Sequence, residues 1–231
     1  MSNPRRAGTT PAYHGSQMPT RTVHHGDGVA WLARERLPAS HAVVTSMPDT
    51  SELPTLGFDG WKAWFVETAA LAMRQVADDS VSIFFQTDIK RDGRWVDKGF
   101  LVMKGAELAG VELLWHKVVC RAPAGTTTFG RPAWAHLLCF SRSLRLDPKA
   151  SSADVLPRLG QMPWPRAMGV EACVAVCRFL RACTPTTTLV DPFCGVGTLL
   201  AVANAHGLDA IGVERSAKRA ERARGLVLDG V

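Results

Sequence analysis

The sequence predicts an α/β fold in which a doubly wound, mainly parallel sheet carries helices on both faces. Segments of strand and helix character alternate along nearly the whole chain of 231 residues, and such alternation is typical of sheets built from strand–helix–strand units. A buried strand runs into a glycine turn and then a helix at residues 187–207. Two consecutive strands at 112–142 predict an antiparallel pair at one edge, as many mixed sheets have.

The first half of the chain is predicted to hold three strands and three helices. Residues 57–77 form the clearest helix, because Trp61, Phe65, Thr68 and Ala72 recur at helical spacing. The other elements are strands at 21–28, 41–46 and 80–88, helices at 29–37 and 99–110, and a polar loop with an Asp-Gly turn signal at 90–98.

The second half continues the alternation. Strands at 112–120 and 134–142 are separated by a loop at 121–133, which is long for a hairpin and is therefore expected to be functional or mobile. A connector rich in Pro and Ser spans 143–167. It leads to helix 168–183, strand 187–191, helix 199–207, strand 209–214 and helix 215–226.

The composition is that of an ordinary globular protein, with 46% apolar and 21% charged residues. A net charge of +6 permits a polyanionic partner. The six cysteines form no CxxC pair, so we expect buried thiols in a reducing cytoplasm and no metal. We also expect a flexible tail at 1–20, no membrane span, and a monomer or homodimer.

The glycine turn predicts a nucleoside site. Gly195 and Gly197 would let the backbone approach a ligand, and Glu214 ends the next strand, where an acid can bind ribose hydroxyls. Leu200 stands where a dinucleotide fingerprint has its third glycine. The pattern therefore favours a nucleoside without phosphates, such as S-adenosylmethionine, although a glycine turn in some other α/β protein is the alternative.

The stretch DPFCGVGT at 191–198 resembles motif I of S-adenosylmethionine-dependent methyltransferases of the amino-methylating group, which act on DNA and RNA bases. This resemblance covers about residues 21–224. It implies a seven-stranded Rossmann-like methyltransferase sheet with S-adenosylmethionine as cofactor. The implied cofactor residues at this end of the chain are Asp191, Pro192, Phe193, Cys194, Gly195, Gly197, Thr198 and Glu214.

The resemblance also implies a circular permutation, because only 17 residues follow Glu214. The missing strands are found at the N-terminus, where Asp27 is expected to face adenine and Thr45 to contact the cofactor. We therefore expect one permuted domain at 21–231. It consists of a catalytic half at 21–142, the connector at 143–167 and a cofactor half at 168–231.

The catalytic tetrapeptide departs from the family. The family motif is S/D/N-P-P-Y/F/W, in which the first side chain and a backbone carbonyl hold the target amine and the aromatic ring stacks on the extruded base. Here the residues are Ser46, Met47, Pro48 and Asp49. Asp49 either caps a loop or faces the substrate as a hydrogen-bond acceptor or general base. A different ring would then have to stack, with Phe58, Trp61, Phe129 and Trp164 as candidates.

Two loops carry basic residues among aromatic ones, a pattern suited to a flipped or single-stranded nucleotide. The candidate substrate residues are Gln86, Asp88, Lys90, Arg94, Trp95, Phe129 and Arg131. The connector is too short for a separate groove-reading module, so we expect an RNA substrate, with tRNA as the first choice. A DNA amino-methyltransferase and a non-catalytic subunit of the same fold are the alternatives.

Overall fold

The computed structural model describes residues 18–230, so the expected tail at 1–20 lies mostly outside the described residues. The helices are α1 (Gly28–Arg34), α2 (Gly57–Gln75), α3 (Lys98–Ala109), α4 (Val170–Cys183), α5 (Thr198–Ala205) and α6 (Ala217–Gly225). The strands are β1 (Arg21–His25), β2 (His41–Thr45), β3 (Ser82–Gln86), β4 (Ile89–Arg91), β5 (Arg94–Val96), β6 (Glu112–Cys120), β7 (Trp134–Ser141), β8 (Val155–Leu156), β9 (Thr188–Asp191) and β10 (Asp209–Glu214).

The main sheet has the strand order β1-β10-β9-β2-β3-β7-β6-β8. Every pairing is parallel except the two made by β7, which runs against both β3 and β6. The predicted mainly parallel sheet with an antiparallel pair is therefore confirmed. The sheet has eight strands instead of the expected seven, because Val155–Leu156 of the connector adds a short edge strand beside β6.

Chain order and strand order differ as the permutation requires. The first strand, β1, pairs with the last, β10, from Arg21 opposite Ala210 to His25 opposite Glu214. The motif strand β9 lies between β10 and β2. Arg21 also donates to the carbonyl of Leu226 at 2.7 Å, so the two ends of the fold lie side by side.

The two faces of the sheet are covered by different helices. One core contains residues of α4, α5 and α6 such as Val176, Leu199 and Ala220, and the other contains residues of α1, α2 and α3 such as Leu32, Phe65 and Val102. Large apolar side chains are thus removed from water on both faces, which is the main stabilising contribution in such folds. This arrangement confirms the doubly wound architecture.

One predicted loop is a hairpin. Residues 90–98 contain β5 and most of β4, a small separate sheet joined at Asp92 and Gly93, with φ of 49° and 71°. Asp-Gly tolerates two successive left-handed residues, which is the geometry of the tightest hairpin turns. Between residues 18 and 230, no helix combines the length and apolar character needed to cross a membrane.

Candidate functional site

A cleft opens where β9 and β2 lie side by side and their connections leave for opposite faces of the sheet. In open α/β sheets this position, beyond the carboxyl ends of the strands, is where ligands bind. The cleft is lined by the ends of β1, β2, β9 and β10, by the start of α3, and by parts of the loops 121–133 and 159–168. Residues from both predicted halves of the domain therefore meet in one site.

Asp191 ends β9 at the centre of the cleft. Its Oδ1 accepts hydrogen bonds from Thr45 Oγ1 at 2.6 Å and from the backbone N–H of Phe193 at 3.0 Å. Burial, with a smaller contribution from the nearby Glu214 carboxylate, raises the pKa of the Asp191 carboxyl to about 7. Thr45 does not line the cleft; it holds Asp191, so the structure gives it a supporting position instead of the expected direct one.

The two glycines of the turn have different roles. Gly195 has φ of 57°, and an added Cβ would meet no atom within 4 Å, so its backbone faces open space in the cleft. Gly197 has φ of 84° and lies outside the cleft lining, where a Cβ would come within 2.9 Å of Ala223 in α6. Gly197 therefore permits helix packing instead of ligand approach, contrary to the sequence-based expectation.

Thr198 begins α5 and lines the cleft beside Pro192, Phe193, Cys194 and Gly195. Its hydroxyl oxygen is buried and has no hydrogen-bond partner within the described residues. Buried polar atoms are nearly always paired, so an orphan in a cleft indicates a position for a ligand atom.

Two more acids line the cleft at the ends of neighbouring strands. Glu214 accepts hydrogen bonds from the backbone of Ser216 and from the guanidinium of Arg219, and all of them use Oε1. Asp27 caps α1, because its Oδ1 accepts from the backbone of Ala30 at 2.9 Å. Both acids are thus fixed in orientation by their own elements.

The segment Ser46–Asp49 follows β2 on the other side of Asp191. Trp61 is fully buried and donates from Nε1 to the carbonyl of Pro48 at 3.1 Å, which anchors the segment to α2. Ser46, Pro48 and Asp49 all line the cleft. Trp61 therefore supports the segment from behind and is not a ring available for stacking.

Asp49 is buried and paired with two cations. Its Oδ1 accepts from Lys98 Nζ at 2.6 Å, and its Oδ2 accepts from Arg131. Burial alone would raise the pKa of the Asp49 carboxyl, but the Lys98 ammonium and the Arg131 guanidinium outweigh this and hold the pKa below its usual value. Asp49 is therefore an ionised acceptor with both oxygens in use, and this geometry does not favour a general base.

Most of the predicted substrate residues do not line the cleft. Gln86 is fully buried, and Asp88 is buried with its carboxylate bonded to the backbone of Lys98, to Trp95 Nε1 and to His136. Lys90, Arg94 and Trp95 belong to the β4–β5 hairpin, and Phe129 is 87% exposed on its loop. Of that group only Arg131 reaches the cleft; the other six do not line it, and their contact with a substrate stays a prediction.

Several lining residues were not in the predicted site. Trp64 is one of them, and it packs its ring edge against Phe193. Trp164, one of the four candidate stacking rings, lines the cleft from the connector. The sequence identifies Lys98 and Arg121 as basic residues of the two loops, but it does not show that their side chains point into the cleft. Asp88, Asp97 and His136 also lie close enough to share a metal ion, yet Asp97 caps α3 and Asp88 is already bonded. The expectation of no metal stays a prediction.

The fold is shared with DNA methyltransferases of known structure. No protein-family model matches the chain, and no curated protein sequence does. A protein from Thermus thermophilus, assigned as a DNA modification methylase and complexed with S-adenosyl-L-methionine, aligns with a TM-score of 0.66 at 19% identity over 88% of this chain and 92% of its own.

Two further structures give the same result. The complex of M1.HpyAVI with its cofactor SAM aligns with a TM-score of 0.57 at 13% identity, over 89% of this chain and 97% of its own. The cytosine-N4-specific PvuII DNA methyltransferase aligns with a TM-score of 0.66 at 14% identity, over 94% and 91%. At such identities the likeness establishes the Rossmann-like methyltransferase fold of this chain.

Proposed function

We propose that the protein is an S-adenosylmethionine-dependent methyltransferase that methylates a base of DNA. The observation that carries the proposal is the single cleft in which the glycine turn after β9 faces the Ser46–Asp49 segment after β2. The shared fold supports the same activity, since methyltransferases of this fold have been solved with the cofactor bound.

The cleft fits the cofactor on its own chemistry. The buried Asp191 carboxyl and the orphan Thr198 hydroxyl suit the amino and carboxylate groups of the methionine end, and Gly195 leaves space for them. At Glu214 we assign Oε2 to the ribose hydroxyls, because the protein's own contacts all use Oε1. Asp27 and the Trp64 ring line the part of the cleft that we assign to adenine.

The chain's own residues would then orient the acceptor. S-adenosylmethionine, when bound, supplies the methyl group. The Ser46 hydroxyl would accept a hydrogen bond from an exocyclic amine, which turns the nitrogen lone pair toward the cofactor side of the cleft. We assign stacking on the base to Trp164 from the connector, since position 49 holds a carboxylate.

DNA is favoured over the RNA substrate expected from the sequence. That expectation depended on the short connector, which leaves no room for a recognition module. Yet the PvuII DNA methyltransferase is aligned over 91% of its own chain, and the Thermus thermophilus protein assigned as a DNA modification methylase over 92%, so chains of similar size are found among DNA methyltransferases. The argument from size therefore no longer favours RNA.

The test is transfer of a labelled methyl group from S-adenosylmethionine by the purified full chain. Duplex DNA, single-stranded DNA and total RNA are offered separately, and nucleosides are identified by mass spectrometry. We expect an N-methylated adenine or cytosine in DNA. Label found in RNA alone would overturn the DNA assignment, and cofactor binding without transfer to any acceptor would favour the non-catalytic subunit.

Ser46→Ala provides the site-specific arm of this test. We expect transfer to fall on the order of a hundredfold while cofactor affinity stays within about twofold, because Ser46 would contact only the acceptor. Ser143→Ala, an exposed serine outside the cleft, serves as the matched control. Equal turnover in both variants would remove Ser46 from the mechanism.

A further inference from the structure

The substrate end of the cleft holds more positive than negative charge. Lys98, Arg121 and Arg131 all line it beside Asp49, which is the acid paired with Lys98 and Arg131. The other lining arginine nearby, Arg166, is matched by Glu52 at 3.0 Å. Three cations around one carboxylate leave two charges to be compensated by a ligand or by solvent.

Arg121 has the strongest need for a partner. Its Nη1 is buried and makes no hydrogen bond in the part of the chain that the structure describes. Arg121 is half-buried, and this burial together with the neighbouring Arg131 guanidinium lowers its pKa, although the Asp49 carboxylate opposes the shift. Asp49 already pairs with Lys98 and Arg131, so the buried Nη1 of Arg121 has no acceptor of its own among the described residues.

One contact holds each arginine in place. Arg121 directly follows β6, and its N–H donates to the carbonyl of Ala133 at 2.7 Å, which closes the base of the loop 121–133. Arg131 lies near the other end of that loop and is fixed by Asp49. Two adjacent guanidiniums with fixed stems are suited to bidentate binding of a phosphate.

These cations gather on the substrate side of the cleft. Lys98 and Arg131 both contact Asp49, which follows β2 in the same segment as Ser46. Arg121 reaches the same place from the end of β6, on the far side of β2 from the cofactor residues Asp191 and Glu214 of β9 and β10. The excess charge therefore lies beside the Ser46–Asp49 segment that is assigned to the acceptor.

We propose that Arg121 and Arg131 form a phosphate-binding subsite that holds the phosphate of the nucleotide whose base enters beside Ser46. The inference rests on the proposed function, because it assigns the substrate side of the same cleft. Asp49 is then a positioning residue that orients Arg131, and Lys98 compensates the charge of Asp49. The two arginines would hold the phosphate, in addition to the stacking on the base that we assign to Trp164.

The test compares Arg121→Gln with Arg178→Gln, an exposed arginine of α4 outside the cleft. The probes are a fluorescent single-stranded 12-mer DNA, deoxycytidine monophosphate and deoxycytidine. We expect Arg121→Gln to weaken binding of the 12-mer at least tenfold and to reduce the salt slope of its affinity by about 0.7, as for the loss of one phosphate contact. Arg178→Gln should behave like the unmodified protein.

The monophosphate identifies the source of the phosphate. If the monophosphate binds more tightly than deoxycytidine and at least as tightly as the 12-mer, the subsite takes a free nucleotide. If only the 12-mer binds tightly, the subsite takes a phosphate of a DNA strand. Arg121→Lys keeps the positive charge but loses the planar guanidinium that can donate two hydrogen bonds to one phosphate, and we expect its affinity for the 12-mer to be intermediate. Equal 12-mer and monophosphate binding by Arg121→Gln and the unmodified protein, or no binding of any probe, would overturn the subsite.

Cofactor affinity separates this inference from the proposed function. S-adenosylmethionine should bind the unmodified protein, Arg121→Gln and Arg178→Gln equally. If Arg121→Gln alone loses the cofactor, Arg121 serves the cofactor and the subsite is wrong. If no form binds the cofactor but phosphate binding still depends on Arg121, the subsite stands and the methyltransferase proposal falls.

Discussion

Asp49 and Lys98 form a buried ion pair in which each charge depends on the other. Their side chains are 10% and 3% exposed, and Lys98 Nζ lies 2.6 Å from Asp49 Oδ1. A buried pair is not by itself strongly stabilising, because desolvation opposes the attraction. Removing one member is costly, since the other charge then stays buried without a partner.

We therefore expect Asp49→Asn to lower the free energy of unfolding by about 3–5 kcal/mol in urea titrations at pH 7. Asp59→Asn is the matched control, because Asp59 pairs with Lys62 at the surface of the protein. The free energy of unfolding of this control variant should stay close to that of the unmodified protein. The double variant Asp49→Asn with Lys98→Met should recover a large part of the loss. No recovery would mean that Lys98 does not depend on Asp49.

The raised pKa of Asp191 predicts that the stability of the protein depends on pH. Its pKa in the folded protein is raised to about 7, so the folded state binds a proton that the unfolded state releases near pH 4. The stability associated with this protonated carboxyl is fully present below about pH 4 and is lost as the pH rises through about 7.

Asp191→Asn removes this titration and can still accept from Thr45 and Phe193, since both bonds go to Oδ1. We expect the stability advantage of the variant over the unmodified protein to grow by about 2.7 kcal/mol from pH 5 to pH 8, as measured by urea unfolding at both values, because the pH rises by about two units before it passes the folded pKa of about 7. A stability difference that does not change with pH would show that Asp191 is ionised throughout.

At the scale of elements, the turn between β9 and α5 combines two glycines with separate roles. We expect Gly197→Ala to lower the free energy of unfolding by about 2–4 kcal/mol, because it adds both a left-handed alanine and a contact with α6. Gly195→Ala should cost only about 1 kcal/mol, since it meets open space.

The effects of the two substitutions on cofactor binding are expected to be the reverse of their effects on stability. The Gly195→Ala methyl group would enter the cleft and weaken S-adenosylmethionine binding, whereas Gly197→Ala protein that remains folded should bind normally. Calorimetric titration of both variants below their melting temperatures measures this. Normal cofactor affinity in Gly195→Ala would mean that the turn does not contact the methionine end.

The order of elements could be predicted because apolar periodicity and glycine turns act locally. The helix at 57–77 and the strand before the glycine turn agree with α2 and β9 within two residues. The hairpin β4–β5 was missed, because three-residue strands carry almost no periodic signal. Its Asp-Gly turn was the only local indication.

The site was predicted best where it lies on the ends of adjacent parallel strands, whereas in the loops candidates such as Arg131 and Trp164 could be named without their direction. Asp191, Glu214 and Asp27 line the cleft because strand order determines their positions. Lys98, Arg121 and Trp164 come from a helix start and two loops, where the direction of a side chain depends on distant contacts. The carboxylate of Asp49 turns Lys98 inward, and the sequence spacing of 49 residues gives no sign of it.

At the scale of the whole molecule, the sheet should not depend on where the chain is cut. Leu226 lies against Arg21 at one end of the fold, and both Lys149 and Ala150 are exposed in the connector. Termini that lie close together generally tolerate circular permutation. The permuted order 150–230, a linker, then 18–149 would bring the cofactor half first.

We expect this variant, with a linker of about six Gly and Ser residues, to melt within about 5 °C of the original order. It should also bind S-adenosylmethionine with unchanged affinity, as measured by calorimetry beside residues 18–230 in their original order. A large loss of melting temperature or of cofactor affinity would mean that the original order of the segments is needed for folding.

The pairing of Asp49 with Lys98 limits how these two positions can change by single mutations. An aromatic ring at position 49 would leave the buried ammonium of Lys98 without its carboxylate, and replacing Lys98 first would leave Asp49 with a single cation beside it. Either first step gives a less stable protein, so the two positions are expected to change together. Laboratory evolution toward an aromatic at 49 should therefore change position 98 in the same round or not succeed.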